Sequence, residues 1–186
     1  MIMNSTKITR KKFILTAVLG SFLIGIAASV LRATQKTTRL FLSRQTEETL
    51  SRFAEAILPN DPGFPDFKEA EVTARLDEEL FFVDSSISGD FDSAIWILEF
   101  LPITFGYWGR FSKLEREDAK KFIHAALQSE TELVRNIVSS VRMVIMLVYY
   151  GHRSTWNQIG YDGPFGNFPE KLSESRIYYK AQVRKN

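Results

Sequence analysis

Apolar residues recur along this chain at helical spacing, with short polar turns between the runs. Leu50, Phe53, Ala54, Ile57 and Leu58 follow the i, i+3, i+4, i+7, i+8 pattern that gathers them on one face of a helix. Thr46 stands where an N-cap belongs, Glu47 and Glu48 suit the positive first turn, and Pro59 stops the run. Asn60-Asp61-Pro62-Gly63 has the composition of a turn. Asp66 and Glu69 then carry the spacing of a capping box, which predicts a helix through Val72, Leu76 and Leu80 ending near Phe82. Ser85 to Asp90 reads as a loop. Phe91 to Leu101, containing Ile95, Trp96, Ile97, Leu98 and Phe100, predicts a central helix that Pro102 ends or kinks.

Ser112-Lys113-Leu114-Glu115 has the form of a second capping box, opening a helix that buries Ala119, Phe122, Ile123 and Ala126. The longest element spans Glu130 to Tyr150, with Val134, Ile137, Val138, Val141, Val144, Ile145 and Val148 at helical spacing. A membrane span over Ile137 to Tyr150 is disfavoured by Arg142 and two serines. Alternating strand patterns and Asn-Gly hairpin turns are absent, so the expectation is an all-α protein, a helical bundle of about five or six helices preceded by an N-terminal signal or anchor helix.

That N-terminal segment has three parts. Lys7, Arg10, Lys11 and Lys12 form a basic cluster, Phe13 to Leu31 follows without a charge, and Arg32 closes it. The uncharged run is about nineteen residues, close to the roughly 20 that cross a bilayer as a helix. A basic region before an apolar stretch is an export signal whose positive end stays in the cytoplasm. It is either cleaved or retained as an anchor; Ala27, Ala28 and Ser29 are small enough for cleavage but form no clean A-x-A site. The expected organisation is an export signal or membrane anchor over 1–32, a linker over 33–45, a helical domain over 46–168, and a polar basic tail over 169–186. The tail is expected to pack loosely or on a partner.

Composition narrows the chemistry. With 24 Lys and Arg against 22 Asp and Glu, the net charge of +2 does not suggest nucleic acid as a partner. The absence of cysteine removes disulfides, thiolate metal sites, iron–sulfur clusters, cysteine nucleophiles and covalent haem. His124 and His152 are the only histidines, too few for a multi-histidine metal centre. No Gly-rich phosphate loop and no Gly-x-Ser-x-Gly elbow occur. Catalytic, metal-binding and cofactor-binding residues are therefore assigned to none of this chain. The acidic segment from Glu55 to Asp92, including Asp77 and Glu78, is opposed only by Lys68 and Arg75. It reads as a solvated face or a charge-complementary docking face. His152, without a paired acid or nucleophile, reads as structural or interfacial. Tyr107, Trp108 and Phe111 suit either the core or an exposed anchor.

Tyr149 to Pro164, YYGHRSTWNQIGYDGP, is the most distinctive segment: a helix end closed by Gly151, a short turn or helix carrying Trp156 and Ile159, and glycines 160 and 163 for unusual backbone angles. It resembles the C-terminal signature of the gluconate 2-dehydrogenase subunit 3 family through Tyr149, Tyr150, Trp156, Gly160, Tyr161, Gly163 and Pro164. Phe53 to Pro59 with Asp61-Pro62-Gly63 is similar to that family's first helix and its exit, and Phe111 to Arg116 is similar to a further stretch. Thr9-Arg10-Lys11-Lys12-Phe13-Ile14 resembles a twin-arginine export signal, with Lys11 in place of the second arginine; general secretion is the other route. The resemblance implies a non-catalytic small subunit that stabilises a large FAD-containing partner of the glucose-methanol-choline type and escorts it across the cytoplasmic membrane. FAD would be held in the partner, a cytochrome c subunit often accompanies it, and the substrates would be sugars, sugar acids or polyols. The expected location is the periplasm or the periplasmic face of the inner membrane. The alternative reading is a membrane-tethered helical adaptor or chaperone with no dehydrogenase partner.

Overall fold

The computed structural model describes residues 39–164 and 172–185; the export segment with Arg10, Lys11 and Phe13 lies outside the described residues, as do residues 33–38 of the linker. The described residues form seven α-helices and no strands. They are α1 (Arg44–Ile57), α2 (Val72–Phe82), α3 (Ser85–Phe100), α4 (Arg116–Leu127), α5 (Glu132–Gly151), α6 (Arg153–Trp156) and α7 (Glu174–Val183). Short 3-10 turns cover Leu101–Phe105, Phe111–Lys113 and Asn157–Ile159.

α1 and α5 are the hub. α1 packs on α2, α3, α4 and α5, and α5 packs on α1 to α4 and on α6. The expected face of α1 is the buried one, with Leu50, Phe53 and Ala54 wholly inside. In α5, Ile137, Val138, Val141, Ile145 and Tyr149 are buried. This is also the one helix among the described residues long and apolar enough to cross a bilayer. Its outward face carries Leu133, Met143 and Leu147. α4 buries the four residues its spacing predicts, Ala119, Phe122, Ile123 and Ala126. Phe111 lies 5.7 Å from Phe53 and 5.6 Å from Phe122, centroid to centroid, and so joins α1 to α4. Each such fully buried phenylalanine contributes about 1.5–3 kcal/mol relative to exposure.

The helix starts differ from expectation for identifiable reasons. Ser43, not Thr46, caps α1: its Oγ accepts from the Thr46 N–H at 3.1 Å. Asp66 does accept from the N–H groups of Lys68 and Glu69 at 2.7 and 2.8 Å. Those bonds close a turn, however, and α2 begins only at Val72 after Glu71 adopts a left-handed conformation. Ser85 to Asp90 is the start of α3 rather than a loop, because Asp84 accepts from the Ser86 N–H and nucleates the first turn. α3 packs on both α1 and α5, burying Ser88, Ile95, Leu98 and Glu99 while Ile97 faces outward. Pro102 ends it by converting the chain to 3-10 geometry. Ser112 is no cap: its N–H and hydroxyl donate to Glu99, and Glu115 precedes α4.

Two carboxylates are built into the interior. Asp77 accepts from the N–H groups of Leu40, Phe41 and Leu42 at 2.9, 2.9 and 2.6 Å, and from the Tyr179 hydroxyl. Glu99 accepts from Gln45 Nε2 at 3.0 Å, Thr49 Oγ1 at 2.9 Å and Ser112 at two atoms. Both are fully buried. A carboxylate tolerates such burial when its lone pairs are satisfied by several donors. The solvated-face reading of the acidic segment therefore fails at Asp77 and at buried Glu78, which pairs with Arg176 at 3.0 Å. Through Tyr179 and Arg176 the tail forms α7 and is fastened to α2, rather than packing loosely.

Candidate functional site

The segment from Tyr149 to Pro164 is assembled from the end of α5 outward. Tyr149 is fully buried and donates its hydroxyl to the Pro65 carbonyl at 2.7 Å. Burial first, then the negative potential of Tyr150, Asp66 and Glu69, pushes its ionisation above the ordinary tyrosine value. Tyr150 meets it edge-on at 5.1 Å. Gly151 is the last residue of α5 without a left-handed conformation, and His152 in extended conformation breaks the helix.

His152 also opens the next helix. Its Nδ1 accepts from the Ser154 N–H at 3.3 Å, so the structural reading of this histidine is the one seen. Thr155 is completely buried, and its hydroxyl donates to the His152 carbonyl at 2.7 Å, with the carbonyls of Tyr149 and Tyr150 at 3.3 Å. These groups hold the end of α5 and the short α6 in one unit. Their signal in sequence is slight, because Ser and Thr near a helix end have many possible partners.

The exit is a Schellman turn. Gly160 sits at φ +68°, Tyr161 N–H donates to the Trp156 carbonyl at 2.9 Å, and Gly160 N–H reaches the Asn157 carbonyl. Gly163 sits at φ +104°, and a Cβ there would lie 3.3 Å from the Trp156 ring. Trp156 and Tyr161 meet edge-on at 5.1 Å, with the Arg153 guanidinium 6.0 Å from the Trp156 ring. The motif divides: Tyr149 plugs the bundle end, whereas Tyr161 and Pro164 are exposed and Trp156 is half-buried.

The structure brings together the three stretches singled out above. Gly63, at φ +99°, approaches Gln158 so closely that a Cβ would lie 2.9 Å from its Nε2. Pro65 receives the Tyr149 hydroxyl, the Arg116 guanidinium donates to the Leu58 carbonyl at 3.4 Å, and Phe111 packs on Phe53.

Two open grooves flank this region. One of about 890 Å³ runs between α2, the second half of α5 and α7, with Val83, Leu147, Val148 and Trp156 along it and Arg153, Arg176 and Lys180 among its charges. The other, about 770 Å³, lies beside α1 and is lined by ion-paired side chains such as Arg39–Glu47 and Lys113–Glu48. The Lys113 ammonium, hydrogen-bonded to Glu48, holds that carboxyl below the usual range. Among the described residues no three His, Asp or Glu side chains group as a metal site. His124 lies on the exposed flank of α4 beside Gln128. Phe111 is core, whereas Trp108, three residues earlier, stands fully exposed.

Comparison of the chain with models of known protein families, with curated proteins and with solved structures finds no match to any of them.

Proposed function

We propose that this chain is a non-catalytic small subunit of an FAD-dependent dehydrogenase acting on sugars, sugar acids or polyols. In this reading it stabilises a large flavoprotein of the glucose-methanol-choline type and escorts it across the cytoplasmic membrane. FAD resides in that partner, which a cytochrome c subunit often accompanies, and the complex works in the periplasm or at the periplasmic face of the inner membrane. The basic cluster and apolar run at the N-terminus supply the export signal.

The observation that carries this reading is convergence. The stretches resembling the gluconate 2-dehydrogenase subunit 3 family are separated in sequence, yet Gly63 meets Gln158 and Arg116 meets Leu58, while Tyr149 reaches Pro65 just beyond the first stretch. Chance matches of short motifs have no reason to touch one another. Exposed Tyr161, packed edge-on against half-buried Trp156, offers aromatic surface of the kind that dominates partner interfaces.

The test is affinity capture of the tagged full-length chain from its native membranes, followed by an absorbance spectrum of the eluate. A large co-purifying protein with flavin bands is expected, and Trp156→Ala or Tyr161→Ala should lower its yield. An eluate without partner or flavin would transfer the chain to the membrane-tethered adaptor reading. Turnover by the pure chain would overturn its non-catalytic role.

A further inference from the structure

The groove of about 890 Å³ between α2, the second half of α5 and α7 has a two-sided chemistry. Besides His152 and Tyr179, its described lining is apolar or charged, with no serine, threonine, asparagine or glutamine among those residues. The Tyr179 hydroxyl is already committed to Asp77. An extended peptide or a sugar laid here would give up water from its amides or hydroxyls with little to replace it. Val144, Leu147 and Val148 form the α5 wall, and Leu76, Leu80 and Val83 belong to the α2 side. Leu147 is 73% exposed and Val83 36%, surface that hydrocarbon would remove from water.

The charges along this groove are unevenly matched. Glu78 pairs with Arg75 and Arg176, and Glu79 with Arg75. Glu71 lies on the rim shared with the groove beside α1. Arg153 and Lys180 have no carboxylate partner among the described residues, and the Arg153 guanidinium lies 6.0 Å from the Trp156 ring. His152 adds a neutral donor. Its Nδ1 accepts from the Ser154 N–H at 3.3 Å, which puts the proton of the neutral ring on Nε2. Followed along α5, the lining therefore changes from hydrocarbon at Val144 to Val148 to donor and cation at His152 and Arg153, with Lys180 added from α7.

We propose that this groove binds a long-chain carboxylate, a fatty acid. Its chain lies along Leu147, Val148 and Val83, and its carboxylate meets Arg153, Lys180 and the His152 Nε2–H. The unmatched cations select an anionic head, and the apolar walls select a hydrocarbon tail. A pocket of this size with few polar groups beside an apolar floor is the usual form of a small-molecule site. The site needs no flavoprotein, so it stands apart from the functional reading above.

The test labels the full-length chain in lipid nanodiscs with a dodecanoate carrying a diazirine at its chain end, and maps the labelled residues by mass spectrometry. Expected is labelling of α5 near Leu147 and of α2 near Val83, removed by excess dodecanoate but not by dodecyltrimethylammonium. Arg153→Gln with Lys180→Gln should raise the apparent dissociation constant about tenfold at an unchanged unfolding temperature, since both side chains are exposed. Leu147→Gln, also at an exposed position, should weaken labelling while leaving the cations in place. Labelling that excess dodecanoate does not remove overturns the proposal, as does equal competition by the cationic amphiphile or labelling confined to residues 13–31. Protection of the groove by an acidic amphipathic peptide, without competition by dodecanoate, overturns it in favour of a protein partner.

Discussion

The Tyr149 hydroxyl lies 2.7 Å from the Pro65 carbonyl, a bond between the last turn of α5 and the turn that precedes α2, 84 residues apart. Tyr149→Phe keeps the ring and leaves the carbonyl without this donor. The expected loss is about 1–2 kcal/mol of folding free energy, measured by urea denaturation. An unchanged midpoint would mean that the bond contributes nothing net.

Asp77 gathers four donors from two distant parts of the chain. Asp77→Ala leaves three backbone N–H groups without their acceptor and should cost about 3 kcal/mol or more. Tyr179→Phe is milder globally, but should accelerate amide exchange through α7 while α4 keeps its protection. Uniform exchange in both helices would argue against separate fastening of the tail.

Titration should separate the tyrosines. Burial raises the Tyr179 hydroxyl most, helped by its bond to Asp77, and burial likewise raises Tyr149. The folded protein therefore holds these protons more tightly than the unfolded chain does. Their stabilisation is complete below about pH 10, the ordinary tyrosine value, and is lost as pH climbs towards the folded values. Of the six tyrosines, Tyr149 and Tyr179 should ionise above the ordinary tyrosine value. Early ionisation of all six would contradict the described burial.

The acid side carries the opposite sign. Lys113 and Arg44 depress Glu48. That contribution is present above the ordinary carboxylate pKa and disappears as pH falls through the folded value. Glu48→Gln should flatten this part of the acid-unfolding curve, and added salt should do the same to the wild type.

Gly163→Ala forces a side chain onto φ +104° and against the Trp156 ring. A loss of about 1 kcal/mol or more is expected from the backbone alone. Tryptophan emission should shift as the ring is displaced. Gly89→Ala, which would meet nothing within 4 Å, serves as the control.

Helices were legible in this sequence wherever an apolar stripe persisted for several turns, as in α1, α4 and α5. Their first residues were less so, because a serine or acid near a helix start can serve a neighbour instead. Ser112 bonds Glu99 and not its own helix, and nothing local to residues 112–115 distinguishes those outcomes. Glu99 did leave a trace: it stands four residues after Ile95, on the apolar face, where an unpaired acid would be costly. The candidate site was legible as residue types, namely the glycines that turn and the aromatics that pack. Its support was not, since Thr155, Pro65 and Gln158 acquire their roles only when separate turns meet. Trp108 and Phe111 show the same limit, with one fully solvated and the other fully enclosed.

The carboxylate of Asp77 works as a clasp. On one side it grips the three amides through which the chain enters the domain, and on the other the tyrosine of the last helix. Loosening either side leaves the shared anion short of donors and so weakens its hold on the other. The segment at Leu40–Leu42 and the last helix should therefore fray together, and a tag that tugs on the C-terminus would be felt at those three amides.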